Sequence, residues 1–192
     1  LLEYLRLVIE LRPIAIMLEN VPGILNYYLF PRFLSDLERL GYRLDYSVVN
    51  IKDYGIPQSR RRLVLVGSLL GDIRVANPKA KSIPTVRDTI GELPPPGTTT
   101  DWLHKIIATH TPEVMERIRL TPKDGGSRKD LPKQFTLSCH KAIVSGFNDI
   151  YGRLRWDSVS STITGGCLNP SKGRFLHPEQ DRCISAREAA LL

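Results

Sequence analysis

The run Ile14-Ala15-Ile16-Met17-Leu18 constrains the fold more than any other stretch of this chain. It is too short for a buried helix and long enough for a strand, with Pro13 before it and Pro22-Gly23 after it. A strand with no polar alternation reads as buried on both faces, as in the interior of an α/β sheet. The flanking residues agree. Leu1, Leu5, Val8 and Ile9 lie at helical spacing, and Arg12-Pro13 ends that helix. Phe33, Leu34, Leu37 and Leu40 mark a second helix over 30–40, stopped by Gly41. Strands are expected over 42–51 and 63–66. They are joined by about ten residues, too few for a helical crossover, so an antiparallel pair is expected. The order helix–strand–helix–strand–strand is that of the later half of a doubly wound α/β sheet.

After residue 70 the character changes. Pro, Gly, Thr and Lys become frequent, as in Glu92-Leu93-Pro94-Pro95-Pro96-Gly97. Short helices are expected over 86–92 and 112–120, and short strands over 135–139 and 153–156. The expected organisation is therefore 1–70 as an α/β half-sheet, 71–176 as a small loop-rich, mostly β domain, and 177–192 as a return segment that starts a last helix. The 42% of apolar residues suffices for a core, and the formal net charge of +7 favours a polyanionic partner. That charge is concentrated: residues 116–174 hold eleven Lys/Arg against five Asp/Glu, the footprint of nucleic-acid binding. Three cysteines without Cys-x-x-Cys spacing argue against a disulfide framework, and Cys139-His140 with His104 and His110 fits no zinc pattern, so no metal is expected. No stretch is long and apolar enough to span a membrane, and a cytoplasmic protein, nucleoid-associated if bacterial, is expected.

The chemistry concentrates at two places. Glu19-Asn20-Val21 puts an acid at the carboxyl end of the apolar strand, where ligands gather in such sheets. Gly55-Ile56-Pro57-Gln58-Ser59-Arg60-Arg61-Arg62 brings arginines into another strand, and alternation puts Arg60 and Arg62 on one face. An acid opposed to guanidinium donors suits activation of a polar heterocycle. These segments resemble the Glu-Asn-Val and Gln-x-Arg-x-Arg motifs of the DNA (cytosine-5) methyltransferases. Cys183-Ile184-Ser185-Ala186-Arg187-Glu188-Ala189-Ala190-Leu191-Leu192 is similar to that family's arginine–glutamate helix. All three occur in the family's order.

The resemblance implies transfer of a methyl group from S-adenosylmethionine to C5 of a cytosine flipped out of double-stranded DNA. A cysteine thiolate adds at C6, and the ring gains a proton at N3. A buried acid with a raised pKa can supply that proton, the role implied for Glu19. Arg62 is implied to lie closest to the base, with Arg60 in support. Asn20 and Gln58 are expected to be structural, and so are Arg187 and Glu188 at the domain junction, with Ser185 and Glu188 forming a capping box. Residues 71–176 correspond to the family's target-recognition domain. There the glycine-containing loops 151–155 and 165–174 are the expected DNA contacts through Arg153, Arg155, Gly165, Gly166, Lys172 and Arg174. Thr162 joins them, since Thr162-Ile163 is similar to the family's threonine–aliphatic pair.

The family's Phe-x-Gly-x-Gly cofactor loop does not occur, and none of Cys139, Cys167 or Cys183 follows a proline, as the nucleophile would. The chain is therefore expected to be a C-terminal portion, inactive alone and without a cofactor site. Its partner would be the missing N-terminal catalytic half, in the same chain or as a separate subunit. The alternatives are a non-catalytic DNA-recognition subunit of a split enzyme and the transfer-RNA methylating branch of the family.

Overall fold

The computed structural model describes residues 1–136 and 149–192. They form two compact units, Leu1–Tyr54 with Arg60–Lys81 and Gly55–Ser59 with Ser82–Leu192. In chain order the strands are β1 (Ala15–Asn20), β2 (Arg43–Asn50), β3 (Gln58–Ser59), β4 (Arg61–Ser68) and β5 (Ser160–Ser161).

The first unit is mixed α/β. Helix α1 (Leu2–Leu11) closes on Arg12, whose N–H reaches the Val8 carbonyl at 3.0 Å. Helix α2 (Phe30–Arg39) ends at Gly41, whose φ of 96° lets Tyr42 N–H turn back to the Leu37 carbonyl. The sheet order is β1-β4-β2, and β4 runs antiparallel to both neighbours. Inward residues Leu63 and Leu65 of β4 are wholly buried with Val8, Phe30, Phe33 and Leu37. Truncating either leucine to alanine should cost about 2–5 kcal/mol. Both helices contribute to this one core, so it covers one face of the sheet. The expectation that β1 is buried on both faces is corrected within this chain. Ile16 is buried, but Met17, on the opposite face, is 63% exposed. That opposite face also carries Glu19, Arg62, Val64 and Val66. Segment 71–81 stays with this unit because Val75 N–H donates to Asp45 (2.8 Å) and the Tyr54 hydroxyl donates to the Ala76 carbonyl (2.6 Å). The residues thus group differently from the expected segments 1–70, 71–176 and 177–192.

The second unit has little regular structure among its described residues, and the expectation of a mostly β domain is corrected. Its only ladder there is β3 paired in parallel with β5, supplemented by single bridges Arg153–Leu176 and Leu176–Cys183. The expected strand 153–156 contributes only the first of these bridges. The expected strand 135–139 starts on a 3-10 turn, Lys133–Phe135, with Thr136 as its extended cap, and residues 137–139 lie outside the described residues. Short helices do more of the work: α3 (Val86–Ile90), α4 (Trp102–Lys105), α5 (Pro112–Leu120) and the last helix, Ala186–Leu191. Two apolar clusters hold them. One joins Val86, Ile90, Leu154, Trp156, Phe175, Ile184 and Leu192, the other Ile118, Tyr151, Leu176 and Cys183. Residues 177–192 are integral to this unit, since Ile184 N–H pairs with the Phe175 carbonyl and Ile184 and Leu192 lie in its core.

Candidate functional site

In the first unit, Glu19 stands opposite Val64, one alternation from Arg62. The register therefore brings acid and arginine together on the helix-free face. Arg62 Nε lies 2.8 Å from Glu19 Oε1, and Arg60 Nη2 donates to the same oxygen at 3.4 Å. The arrangement is half-open: the Glu19 side chain is 45% exposed, Arg60 31% and Arg62 20%. Among the described residues, no α-helix covers that face, so the burial expected around Glu19 is not provided there. Arg61 points away and is exposed. Asn20 holds the turn after β1, its Oδ1 accepting the Val21 N–H at 2.8 Å. Asn50, which carried no sequence signal, accepts the Arg60 N–H at 3.0 Å.

The same face holds an apolar cleft of about 360 Å³ lined by Met17, Val49, Ile51, Tyr54, Val64, Val66, Arg74, Val75 and Ala76. Its single charged side chain is a cation and it offers no carboxylate. It does not fit a sulfonium cofactor that carries a ribose diol.

In the second unit, the expected DNA contacts divide sharply. Arg153 is fully buried. Its Nε donates to the Thr121 carbonyl, Nη1 to the carbonyls of His177 and Gln180, and Nη2 to the Ile118 carbonyl and Asp181, all within 3.0 Å. Every donor is taken, so its expected role at DNA is corrected to that of a core cross-link. Arg174 is half-committed: Nε pairs with Asp149, and Nη1 reaches the carbonyls of Gly125, Gly126 and Arg153. The Thr162 hydroxyl donates to the Ser59 carbonyl at 3.0 Å, leaving the oxygen only as an acceptor, unsuited to phosphate. Arg155, Lys172 and Gly165 are exposed. Arg155 lies over Gly125, where a Cβ would come within 2.3 Å of its Nε, and the Lys172 stem lies against Gly166.

The residues expected to be structural have specific partners. Buried Gln58 accepts Ile163 N–H (3.2 Å) and donates to the Leu192 carbonyl (3.1 Å), fastening β3 to residues near both β5 and the last helix. Arg187 forms a two-pronged pair with Asp101, the residue capping α4. Glu188 completes the capping box with Ser185 and takes both prongs of Arg182 at 2.7 Å. Burial works to raise its pKa, but Arg182 and the Ser185 N–H outweigh that and hold it below the ordinary value. Beside it, burial and the Arg182 charge push His177 down to about 4. His104 is buried, with Nε2 against the Pro94 carbonyl and Nδ1 against the Ser185 hydroxyl, both at 2.7 Å. A carbonyl can only accept, so Nε2 carries the proton. Among the described residues no group of three His, Cys, Asp or Glu could hold a metal, and no helix is long and apolar enough to cross a membrane.

Comparison with known proteins places these features in a family. The model of the C-5 cytosine-specific DNA methylases matches residues 1–192. The Type II methylase M.HgiDII of Herpetosiphon aurantiacus is 41% identical over the whole of this chain and 56% of its own length. The Type II methyltransferase M1.HphI of Haemophilus parahaemolyticus is 29% identical over 99% of this chain and 50% of its own length. A solved structure of a prophage-encoded E. coli DNA modification methyltransferase superposes with a TM-score of 0.64 over 98% of this chain and 61% of that one. At 22% identity that match speaks for the fold alone. The chain spans about half the length of the relatives it matches.

Proposed function

The chain belongs to the C-5 cytosine-specific DNA methylase family, and on that premise we propose that it supplies part of the base pocket and the DNA-recognition surface of a DNA (cytosine-5) methyltransferase. The observation that carries this reading is the convergence of Arg60 and Arg62 on one oxygen of Glu19, on a sheet face that no α-helix among the described residues covers.

The reaction needs a thiolate at cytosine C6 and a methyl donor, S-adenosylmethionine in this family. Neither a proline-preceded cysteine nor a cofactor loop occurs in this chain, and the apolar cleft does not fit the donor. Both belong to residues outside it, as would the rest of a doubly wound sheet. The residues present do three things. Glu19, anchored through Oε1, offers Oε2 to the ring and holds the proton at N3 as C6 is attacked. Arg62, the closer guanidinium, fixes that carboxylate and donates to the O2 side of the ring, and Arg60 completes the clamp. Arg155 and Lys172, exposed on loops with Gly165, Gly166 and the remaining donors of Arg174, meet the duplex. A base reached this way must leave the stack.

The test is the complete enzyme that contains this chain, given radiolabelled donor and duplex DNA, followed by nucleoside analysis. The expected product is 5-methyldeoxycytidine. Methyl groups on an exocyclic nitrogen, or on transfer RNA in preference to DNA, would overturn the reading, as would methylation of DNA by residues 1–192 alone.

A further inference from the structure

The ladder between β2 and β4 ends at the pair Asn50–Arg61. One residue earlier, at Arg60, the chain leaves that ladder. Just upstream, Ser59 belongs to the other compact unit, where its carbonyl accepts the Thr162 hydroxyl. A backbone at such a crossing has no strand partner, and its N–H and C=O would be left to water or to chance. Neither is left here. Ile51 N–H donates to the Arg60 carbonyl at 3.0 Å, and the Asn50 side-chain Oδ1 accepts the Arg60 N–H at 3.0 Å. Two consecutive residues grip both polar groups of Arg60, and one grip is a side chain that substitution can remove.

The grip matters because of what Arg60 does next. Its guanidinium reaches Glu19 Oε1 at 3.4 Å, the longer of the two arginine contacts, at the end of a long flexible side chain. Arg62 is seated within β4, its backbone fixed by the ladder opposite Val49. Arg60 has no ladder. We propose that Asn50 is a positioning residue for the base pocket: its amide oxygen replaces the missing ladder bond and fixes the backbone from which Arg60 reaches Glu19. The proposal rests on the pocket reading above. Alanine removes the acceptor, whereas aspartate keeps an acceptor at the same atom. In this proposal Asn50 acts through the Arg60 backbone, so its loss falls on the chemical step and leaves duplex binding alone.

The test has two arms. In residues 1–192, Asn50→Ala should speed hydrogen exchange at the Arg60 amide while the Leu63 and Leu65 amides keep their protection, and Asn50→Asp should restore it. In the complete enzyme, Asn50→Ala should slow single-turnover methylation about ten- to a hundredfold, as loss of alignment does, with duplex affinity unchanged. Asn50→Asp should recover most of that rate. Wild-type exchange at Arg60 in Asn50→Ala overturns the proposal. So does an Asn50→Asp enzyme as slow as Asn50→Ala, or a rate loss matched by lost duplex affinity. A wild-type enzyme that leaves cytosine unmethylated overturns the pocket reading, and the catalytic part of this proposal with it, whereas the exchange arm separately decides whether Asn50 holds Arg60.

Discussion

Arg62 and Arg153 are both arginines in basic, motif-like surroundings, yet the two units spend them differently. Arg62 sits on an uncovered sheet face, a fifth exposed, paired with a half-exposed acid. Arg153 is wholly enclosed, with four carbonyls and Asp181 around its guanidinium. Whether an arginine is available to a ligand is decided by how many of its donors the protein has already satisfied, and the sequence neighbourhood does not show that. The sheet unit, stabilised by apolar burial, can leave its guanidinium groups available. The loop unit, short of regular hydrogen bonding, uses Arg153 to tie segments around 118, 121, 177 and 180 together.

The sharpest way to break this contrast is to attack each arginine set in turn. Glu19→Gln in the complete enzyme should cut the single-turnover rate about 10²–10⁴-fold with little change in duplex affinity. Arg62→Ala should act in the same sense, and a variant of either kind that turns over like wild type removes the clamp from the chemistry. Arg153→Ala should instead act on folding. It strips the partners from buried carbonyls and from Asp181, at a cost of about 3–5 kcal/mol in urea unfolding of residues 1–192. Lysine should not rescue it, since it lacks the planar fork. An unchanged unfolding midpoint would dissolve the distinction between the units.

Smaller effects belong to the exposed cations. Arg155→Ala and Lys172→Ala should each lower the slope of log affinity against log salt by about one unit if they meet phosphate. Should one of them read a base, its loss costs about 1–3 kcal/mol on the preferred duplex alone. Wild-type binding to both preferred and scrambled duplexes at every salt concentration would remove these loops from the DNA surface. The gentlest test is pH. His177 falls from an ordinary value near 6.5 to about 4 in the folded chain, chiefly by burial. Between those values the unfolded state binds the extra proton, so the contribution of neutral His177 is intact above 6.5 and is lost as pH falls toward 4. Stability should drop by about 1 kcal/mol per pH unit in that window, and His177→Gln should flatten the dependence. A wild-type profile that is level from 7 to 4.5 would place that histidine in a wetter site than the structure gives it.

What could be read from the amino acids alone follows physical range. Helices α1 and α2 and the strands around Leu18 and Leu65 were legible because apolar periodicity is local. The pairing of Glu19 with Arg62 was legible only as two motifs; the register that joins them is set across strands. Strand β3 was invisible, being two residues long with its partner a hundred positions away. Asn50 was missed because asparagine at a strand end has no signature until the segment it grips is known. Arg153 was misassigned because its partners come from loops that no periodicity links. The expected burial of β1 on both faces failed because that pattern reports a preference for cover, and among the described residues Met17 remains 63% exposed.

The second unit is discontinuous, and under the recognition role proposed for it this bears on how a new specificity could be grafted. Residues 55–59 lie between two strands of the sheet unit in sequence yet belong with 82–192 in space. A single crossover after residue 81 would therefore not carry the module whole. It would leave an old Gln58 to find a new Ile163 and a new Leu192 carbonyl, and an old β3 to pair with a foreign β5. Chimaeras should fold best when both pieces come from one parent, and a library of grafts that moves only the long segment should recover function only from donors that present the same backbone donor and acceptor to that glutamine. Under that proposal, grafting a new target sequence takes two cuts.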